Sequence, residues 1–224
     1  MQWLFKLGAV LALWTSVAAM ASGGSAANEP ISPYRTVTPF NAADATAVVE
    51  FFKFDCPFCR NYHQLLSHWG STRPAPLHFE YAPVLEGDAS GGVLKKNAIG
   101  YLAFQDALVS SQRNMDKVFV FMTAAYDIEQ DSPGLIANPS AWMDAARSAG
   151  ISSQSFMANW RGGEPGINAA IARQTHYALK STPTLIICGK YAITPDNTRG
   201  DEGLFMQLAN ATVSKCLIEN GAHP

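Results

Sequence analysis

The chain has 224 residues, with 16 lysines and arginines against 18 aspartates and glutamates, and a formal net charge of −2 at pH 7. Its length is enough to bury a sizeable core, but it lacks the basic excess of a nucleic-acid-binding domain, so we expect no nucleic-acid partner. Four cysteines are too few to scaffold a chain of this length by disulfides, which indicates that they serve a more local purpose.

The first 21 residues predict a cleaved secretory signal peptide. Lys6 is their only charged residue, a largely apolar run follows, and the run ends in Ala-Met-Ala, a small-residue pattern typical of a cleavage site. A membrane anchor is the alternative, but residues 7–20 fall short of the roughly 20 residues that cross a bilayer. Cleavage would leave residues 22–224 in an exported protein, which can meet an oxidising compartment where disulfides persist.

The N-terminal third predicts a strand, a helix and a second strand after a small, polar lead-in at residues 22–33. Residues 47–54, AVVEFFKF, are apolar, β-branched and aromatic, as is typical of a strand buried on both faces. Residues 57–69 carry apolar side chains at helical spacing, and they begin with Pro57, which suits the first position of a helix. Residues 77–84, LHFEYAPV, predict the second strand.

The remainder predicts a helical tract followed by two strands and a last helix. The helices of the tract are expected at about residues 92–112, 115–127, 139–148, 153–161 and 166–180. The strands are expected at residues 184–188 and 191–194, with a tight turn at Gly189 between them, and the last helix at about residues 201–220.

This order predicts an α/β protein with one small, interrupted sheet. Neither residues 34–86 nor residues 181–224 could close a core alone, because so few strands and helices do not form a stable layered domain. We therefore predict a single domain, residues 22–224, in which an all-helical insertion at about residues 90–180 divides the sheet-forming parts.

Cys56 and Cys59 lie at the start of the first predicted helix. The unpaired N–H groups and the positive dipole end of a helix start favour negative charge, so the pKa of Cys56 is expected to be low. Cys59, two residues further on and facing inward, is placed to resolve a mixed disulfide. The pattern therefore predicts a redox-active pair that opens and closes.

Two alternatives to redox chemistry remain for this pair. Cys56, Cys59, His63 and His68 could bind zinc, although a zinc finger usually separates its two ligand pairs by a dozen or so residues. A static structural disulfide is the second alternative. Covalent haem is excluded, because Arg60 stands where the haem motif requires histidine.

Thr182 and Pro183 form a second candidate site, directly before a predicted buried strand. Proline commonly begins a strand, which needs no functional explanation. The alternative is a cis Thr182–Pro183 bond beside the cysteines, which would expose the backbone of Thr182 to an extended substrate peptide. With the exposed aromatic Phe58, these residues are expected to form an apolar lip where unfolded peptides dock.

The stretches VVEFFKFDCPFC and STPTLIICGKY, with the helical block between them, resemble the DsbA family of thiol:disulfide oxidoreductases over nearly the whole mature chain. The resemblance implies a thioredoxin fold interrupted by a helical insertion, in a bacterial periplasmic enzyme that passes its disulfide to reduced, newly exported proteins. It also implies reoxidation by a membrane quinone-linked partner, a DsbB-like thiol oxidase. Cys56 would be the attacking cysteine, Cys59 the resolving one, and Pro183 the cis-proline.

Two departures from the family pattern leave the direction of the reaction open. Phe58, which follows Pro57, stands where the family usually has histidine, and a phenylalanine cannot stabilise a thiolate by charge. Thr182 stands where many members have valine, and it looks more like the isomerase and thioredoxin branches. A dithiol oxidase is our first hypothesis, a reductase or isomerase the second, and a non-catalytic peptide-binding chaperone the third. We expect a monomer that needs neither a metal nor another cofactor.

Glu50 matches a buried glutamate that the family pairs with a lysine. The lysine position aligns with Glu80 here, and Lys53 is an alternative partner, although residues three apart on a strand point to opposite faces. A solvated carboxylate at the strand end is the other interpretation. If Glu50 is buried and unpaired, it should be partly protonated and could relay a proton to Cys59.

Cys188 and Cys216 are the second pair of cysteines, at the end of a predicted strand and late in the last helix. They could be two buried thiols that act as small hydrophobic residues. We favour a structural disulfide between them, because thiols within reach tend to pair in an oxidising compartment.

Overall fold

The computed structural model describes residues 32–87, 95–160 and 166–221, without the side chains of residues 95–97 and 159–160. The predicted signal peptide lies outside the described residues. Within these ranges five strands form one sheet: β1 (Arg35–Thr36), β2 (Ala47–Phe52), β3 (His78–Pro83), β4 (Thr184–Ile187) and β5 (Tyr191–Ile193).

Seven α-helices are present in the described residues: α1 (Pro57–Ser71), α2 (Lys95–Ser110), α3 (Met115–Tyr126), α4 (Pro139–Ser148), α5 (Ser153–Trp160), α6 (Ile167–His176) and α7 (Glu202–Glu219). A π-helical turn, Asp127–Asp131, continues α3. None of the helices in the described ranges is long and apolar enough to cross a membrane.

The strand order in the sheet is β1-β5-β4-β2-β3, so β2 lies inside the sheet with a neighbour on each side. It pairs parallel with β3 and antiparallel with β4, and its register places Glu50 opposite Tyr81 on β3 and Leu185 on β4. All six residues of β2 are buried. This explains its continuous apolar pattern, since a strand covered on both faces has no solvent side for polar residues.

The helices between β3 and β4 cover the part of the sheet that leads to the cysteines. Phe52 and Phe54 pack edge-on against Tyr126, and Phe52 also packs against Phe104 of α2. The same buried cluster includes Cys59. The helical block therefore supplies one wall of the cysteine site, and the predicted α/β arrangement with a helical insertion is confirmed.

The turn between β4 and β5 explains why Gly189 is required. Cys188 and Gly189 both have positive φ angles, 55° and 62°, as in the two-residue turns whose twist matches a hairpin. A Cβ atom at position 189 would lie 2.8 Å from the Cα of Pro39, which is too close for any side chain. The structure also joins Cys188 to Cys216 of α7 by a disulfide, with both residues fully buried.

Candidate dithiol site

Cys56 is the N-cap residue of α1, with extended φ and ψ of −90° and 113°. Its Sγ atom accepts a hydrogen bond from the backbone N–H of Cys59 at 3.3 Å. In the thiol form, the same sulfur donates to the backbone carbonyl of Thr182 at 3.2 Å. The local cause is Pro57 at the first helical position, which starts the helix so that the unpaired N–H groups of its first turn lie beside the sulfur.

The pKa of Cys56 is lowered to about 6 by hydrogen bonds from the side chains of Cys59 and Thr182, by the N–H of Cys59 and by the charge of Lys53, against an opposing effect of burial. Burial, followed by the proximity of Cys56, raises the pKa of Cys59 far above its ordinary value. The pKa values of the two sulfurs thus differ strongly. At neutral pH Cys56 is the thiolate, which is the nucleophilic form, and Cys59 keeps its proton.

Cys56, which has the lower pKa, is also the more exposed of the two cysteines. Cys56 keeps 8% of its surface exposed, whereas Cys59 is fully buried. Phe58 projects from the first turn of α1 and is 61% exposed, although it is a large apolar side chain. The Thr182–Pro183 bond is cis, and Pro183 is buried while Thr182 is half-buried. The structure therefore brings Cys56 and Thr182 together across 126 residues of sequence.

Glu50 is fully buried on β2, and within the described part of the chain neither of its carboxylate oxygens has a hydrogen-bond partner. Burial, with a smaller effect of the charge on Cys56, raises the pKa of Glu50 to about 8. A carboxyl group in this state is mostly protonated at neutral pH. The interpretation of Glu50 as a solvated carboxylate is therefore wrong.

Lys53, the alternative partner of Glu50, and Glu80, at the position aligned with the family's lysine, both have other contacts. Lys53 forms ion pairs with Glu86 and with Asp55. Glu80 lies opposite Val49, so its side chain is on the other face of the sheet, where it pairs with Arg173. The residue opposite Glu50 on β3 is Tyr81.

Tyr81 is a residue that sequence reasoning missed. It lies in register with Glu50, and its hydroxyl hydrogen-bonds the hydroxyl of Ser67 in α1 at 2.5 Å. Burial and the charge of Glu50 raise the pKa of Tyr81. The alternation of strand residues could have found it, but only with the register of β2 against β3 known.

Gln130, in the π-helical turn after α3, was missed as well. Its Nε2 atom donates to the backbone carbonyl of Phe54 at 2.7 Å and to that of Cys56 at 3.1 Å. A polar residue near a Pro/Gly-containing loop is unremarkable in sequence, so no pattern pointed to this contact.

The zinc alternative required two histidines beside the cysteines, and the structure places both elsewhere. His63 is buried, stacks on the ring of Phe119 and hydrogen-bonds the carbonyl of that residue. Burial lowers the pKa of His63 to about 4. His68 is exposed on α1. In the part of the chain that the structure describes, no three potential ligand side chains are grouped to hold a metal ion.

Comparison with known proteins gives one consistent group of relatives. No protein-family model matches the chain. It is 23% identical over 198 residues to the thiol:disulfide interchange protein DsbA of Burkholderia cepacia, covering 86% of this chain and 87% of the relative. Its structure is similar to that of Pseudomonas aeruginosa DsbA, with a TM-score of 0.65, 20% identity, and 82% and 91% of the two chains covered.

The oxidoreductase DsbA1 of Neisseria meningitidis is similar to the same extent, with a TM-score of 0.63, 18% identity, and 84% and 94% of the two chains covered. The likeness of the folds spans both the sheet and the helical block between β3 and β4. The chain is therefore similar in sequence to thiol:disulfide interchange proteins and shares the fold of the DsbA structures, a thioredoxin fold that carries a helical insertion.

Proposed function

We propose that the chain is a periplasmic dithiol oxidase, which donates a Cys56–Cys59 disulfide to exported proteins through a mixed disulfide. The observation that carries this proposal is the difference between the two cysteines in hydrogen bonding and burial. Cys56 caps α1 and accepts the N–H of Cys59, whereas Cys59 is buried. A thiolate that is stabilised in the reduced protein makes the disulfide a stronger oxidant.

In the proposed reaction, a substrate thiolate attacks the Sγ atom of Cys56 and the Cys56–Cys59 bond breaks. Cys59 leaves as a thiolate and takes a proton, for which the protonated carboxyl of Glu50 is the candidate donor. A second substrate thiolate then attacks the substrate sulfur of the mixed disulfide, and Cys56 leaves as a thiolate. The substrate loses two electrons and two protons. The two cysteines gain the electrons, one proton replaces the one that Glu50 gave to Cys59, and the other is released to water because Cys56 stays a thiolate.

The substrate would lie along the lip that Phe58 and Thr182 form beside Cys56. Phe58 offers an exposed apolar surface to an unfolded peptide, and the carbonyl of Thr182 lies within hydrogen-bond reach of the Cys56 sulfur. Pro183, buried beneath, would hold this backbone in place. Such contacts are tolerant of sequence, which fits an enzyme that acts on unfolded chains.

The location and the partners of the enzyme are part of the same proposal. The N-terminal 21 residues have the pattern of a signal peptide, and the relatives are thiol:disulfide interchange proteins. We assign the protein to the bacterial periplasm, as a monomer, with reduced exported proteins as substrates. A membrane quinone-linked, DsbB-like thiol oxidase would restore the disulfide.

A reductase or isomerase of the same fold is the second candidate. Phe58 and Thr182 favour it, because Phe58 carries no charge beside Cys56 and Thr182 matches the thioredoxin and isomerase branches. Phe58 would lower the stability of the reduced form relative to a protein with histidine at position 58.

A redox titration against glutathione separates the two candidates. For an oxidase we expect a potential well above about −200 mV, and reduced protein that unfolds at a higher temperature than oxidised protein. A potential near about −270 mV, as in thioredoxin, would assign the chain to the reductases. The control is Cys56→Ser, which must lose all exchange; a peptide-binding chaperone would keep its activity in this variant.

A further inference from the structure

The π-helical turn Asp127–Asp131 contacts the segment that carries Cys56. Gln130 reaches from this turn to two backbone carbonyls, those of Phe54 at 2.7 Å and Cys56 at 3.1 Å. Phe54 is 5% exposed, and Gln130 is half-buried. Both amide hydrogens of one side chain are thus used on the short connection between β2 and α1. π-Helical turns are rare in proteins and occur frequently at functional sites.

A second contact holds the same turn against α1. Arg60 makes a two-pronged ion pair with Asp131, with bonds of 2.8 and 2.6 Å, and a further bond of 2.5 Å to Asp127. These groups are on the surface, so the pairing contributes little energy by itself. Its effect is to align the turn with the first turn of α1, so that Gln130 points at the connection.

The connection needs such support because the position of the Cys56 sulfur depends on its backbone. The N–H of Cys59 reaches the sulfur only while Cys56 keeps its extended N-cap conformation. Before it, the carbonyl of Lys53 accepts the N–H of Cys56 at 3.3 Å, and the backbone of Lys53 also hydrogen-bonds the side chain of Cys59. The carbonyl of Cys56 also accepts the N–H of Arg60 at 3.2 Å, whereas the carbonyl of Phe54 would turn to water or to another donor without Gln130.

We propose that Gln130 is a positioning residue of the dithiol site, whose amide fixes the backbone from Phe54 to Cys56 and so holds the Cys56 sulfur over the N–H of Cys59. Gln130 binds only backbone carbonyls there, and it acts through Cys56. The helical insertion therefore stabilises the thiolate as well as covering it. This inference rests on the proposed function in one respect, namely that Cys56 is the reactive thiolate.

The test replaces Gln130 by methionine, which has a similar length and no donor. We expect the pKa of Cys56 in the reduced protein, measured by thiolate absorbance against pH, to rise by about 0.5–1 unit. The rate of iodoacetamide labelling at pH 6 should fall by about threefold to tenfold. The redox potential of the protein should become more reducing by up to about 30 mV. This corresponds to a shift of the glutathione equilibrium of up to about tenfold towards the oxidised protein.

Gln174 supplies a matched control within the same chain. Its amide also bonds one backbone segment twice, donating to the carbonyl of Leu85 at 2.6 Å and accepting from the N–H of Leu85 at 2.8 Å. Gln174→Met removes equivalent bonds on another segment. We expect it to lower the unfolding temperature without moving the pKa of Cys56, whereas a purely structural role of Gln130 predicts the same behaviour for both variants.

Three outcomes would overturn the inference: an unchanged pKa of Cys56 in Gln130→Met, equal pKa shifts in both variants, or a shift in Gln174→Met alone. If Gln130→Met does not fold, Gln130→Glu replaces it, and the expected rise of the pKa is larger because a carboxylate faces the two carbonyls. Failure of the premise that Cys56 is the reactive thiolate gives a different result, since the wild-type protein would then show an ordinary cysteine pKa at Cys56 whatever Gln130 does; a reductase would differ from the oxidase in its potential and not in this premise.

Discussion

The two pairs of cysteines have the same chemistry in different surroundings. Cys56 and Cys59 are free thiols at the start of α1, where one sulfur meets an N–H of the first helical turn. Cys188 and Cys216 form a disulfide between the β4–β5 turn and the late part of α7, and both are fully buried. The comparison shows that the position relative to a helix start, together with some exposure, separates a reactive pair from a structural one.

The buried pair does not lie at a helix start. Cys188 is held at a turn with positive φ, and Cys216 lies in the interior of a helix, where the N–H groups are already bonded within the helix. The Sγ atom of Cys216 accepts a hydrogen bond from the side-chain amide of Asn220 at 3.4 Å, and neither sulfur meets the free N–H groups of a helix start. A cross-link in this place ties the C-terminal helix to the sheet, which stabilises the fold by restricting the unfolded chain.

The largest expected effect is on turnover, and it tests the comparison directly. Cys56→Ser and Cys59→Ser should each abolish multiple-turnover oxidation of a dithiol peptide. Cys59→Ser should additionally trap a stable adduct at Cys56 with a disulfide peptide, seen by mass spectrometry. The double variant Cys188→Ala/Cys216→Ala is the control, and we expect most of the activity to remain in it below its unfolding temperature. Loss of turnover only in the control would reverse the two assignments.

The next effect is on stability, to which the Cys188–Cys216 pair is expected to contribute more than the reactive pair. Removal of the Cys188–Cys216 disulfide by the same double alanine variant should cost about 2–4 kcal/mol in the free energy of unfolding, measured by urea denaturation. The pKa of Cys56 should not change, since the cross-link lies in another part of the structure. A shift of that pKa would mean that the two pairs are coupled.

Glu50→Gln should reveal the buried carboxyl beneath the reactive pair. Because the pKa of Glu50 is raised from 4.5 to about 8, its contribution to stability is complete below pH 4.5 and is lost as the pH rises towards 8. The variant has no charge to lose, so it should gain about 1–3 kcal/mol over the wild type at pH 8 and little at pH 4.5. Denaturation at both pH values measures this, and a gain independent of pH would contradict it.

Phe58→His gives the smallest expected effect and tests whether a charge at residue 58 changes the pKa of Cys56. A protonated imidazole beside Cys56 would favour the thiolate, so the pKa of Cys56 should fall by up to about one unit and the redox potential should become more oxidising. Phe58→Gln is the matched control, since it is polar without the charge. Equal behaviour of the two variants, or no change in either, would show that residue 58 does not act on Cys56 by charge.

Much of the fold follows from local patterns in the sequence. The run AVVEFFKF became β2, the helical spacing after Pro57 became α1, and the turn at Gly189 separates β4 from β5. The short strand β1 was not predicted, because two residues carry no periodic pattern. Its place at the sheet edge depends on pairing with β5.

The sequence by itself determined the order of helices and strands and the position of a cysteine pair at a helix start, since both depend on residues that are close in the chain. The tertiary structure alone decided which groups surround that pair. Tyr81, and neither Glu80 nor Lys53, lies in register with Glu50, and Gln130 reaches Cys56 from 74 residues away. These contacts depend on strand register and on the packing of distant helices, where a shift of one residue exchanges one side chain for another.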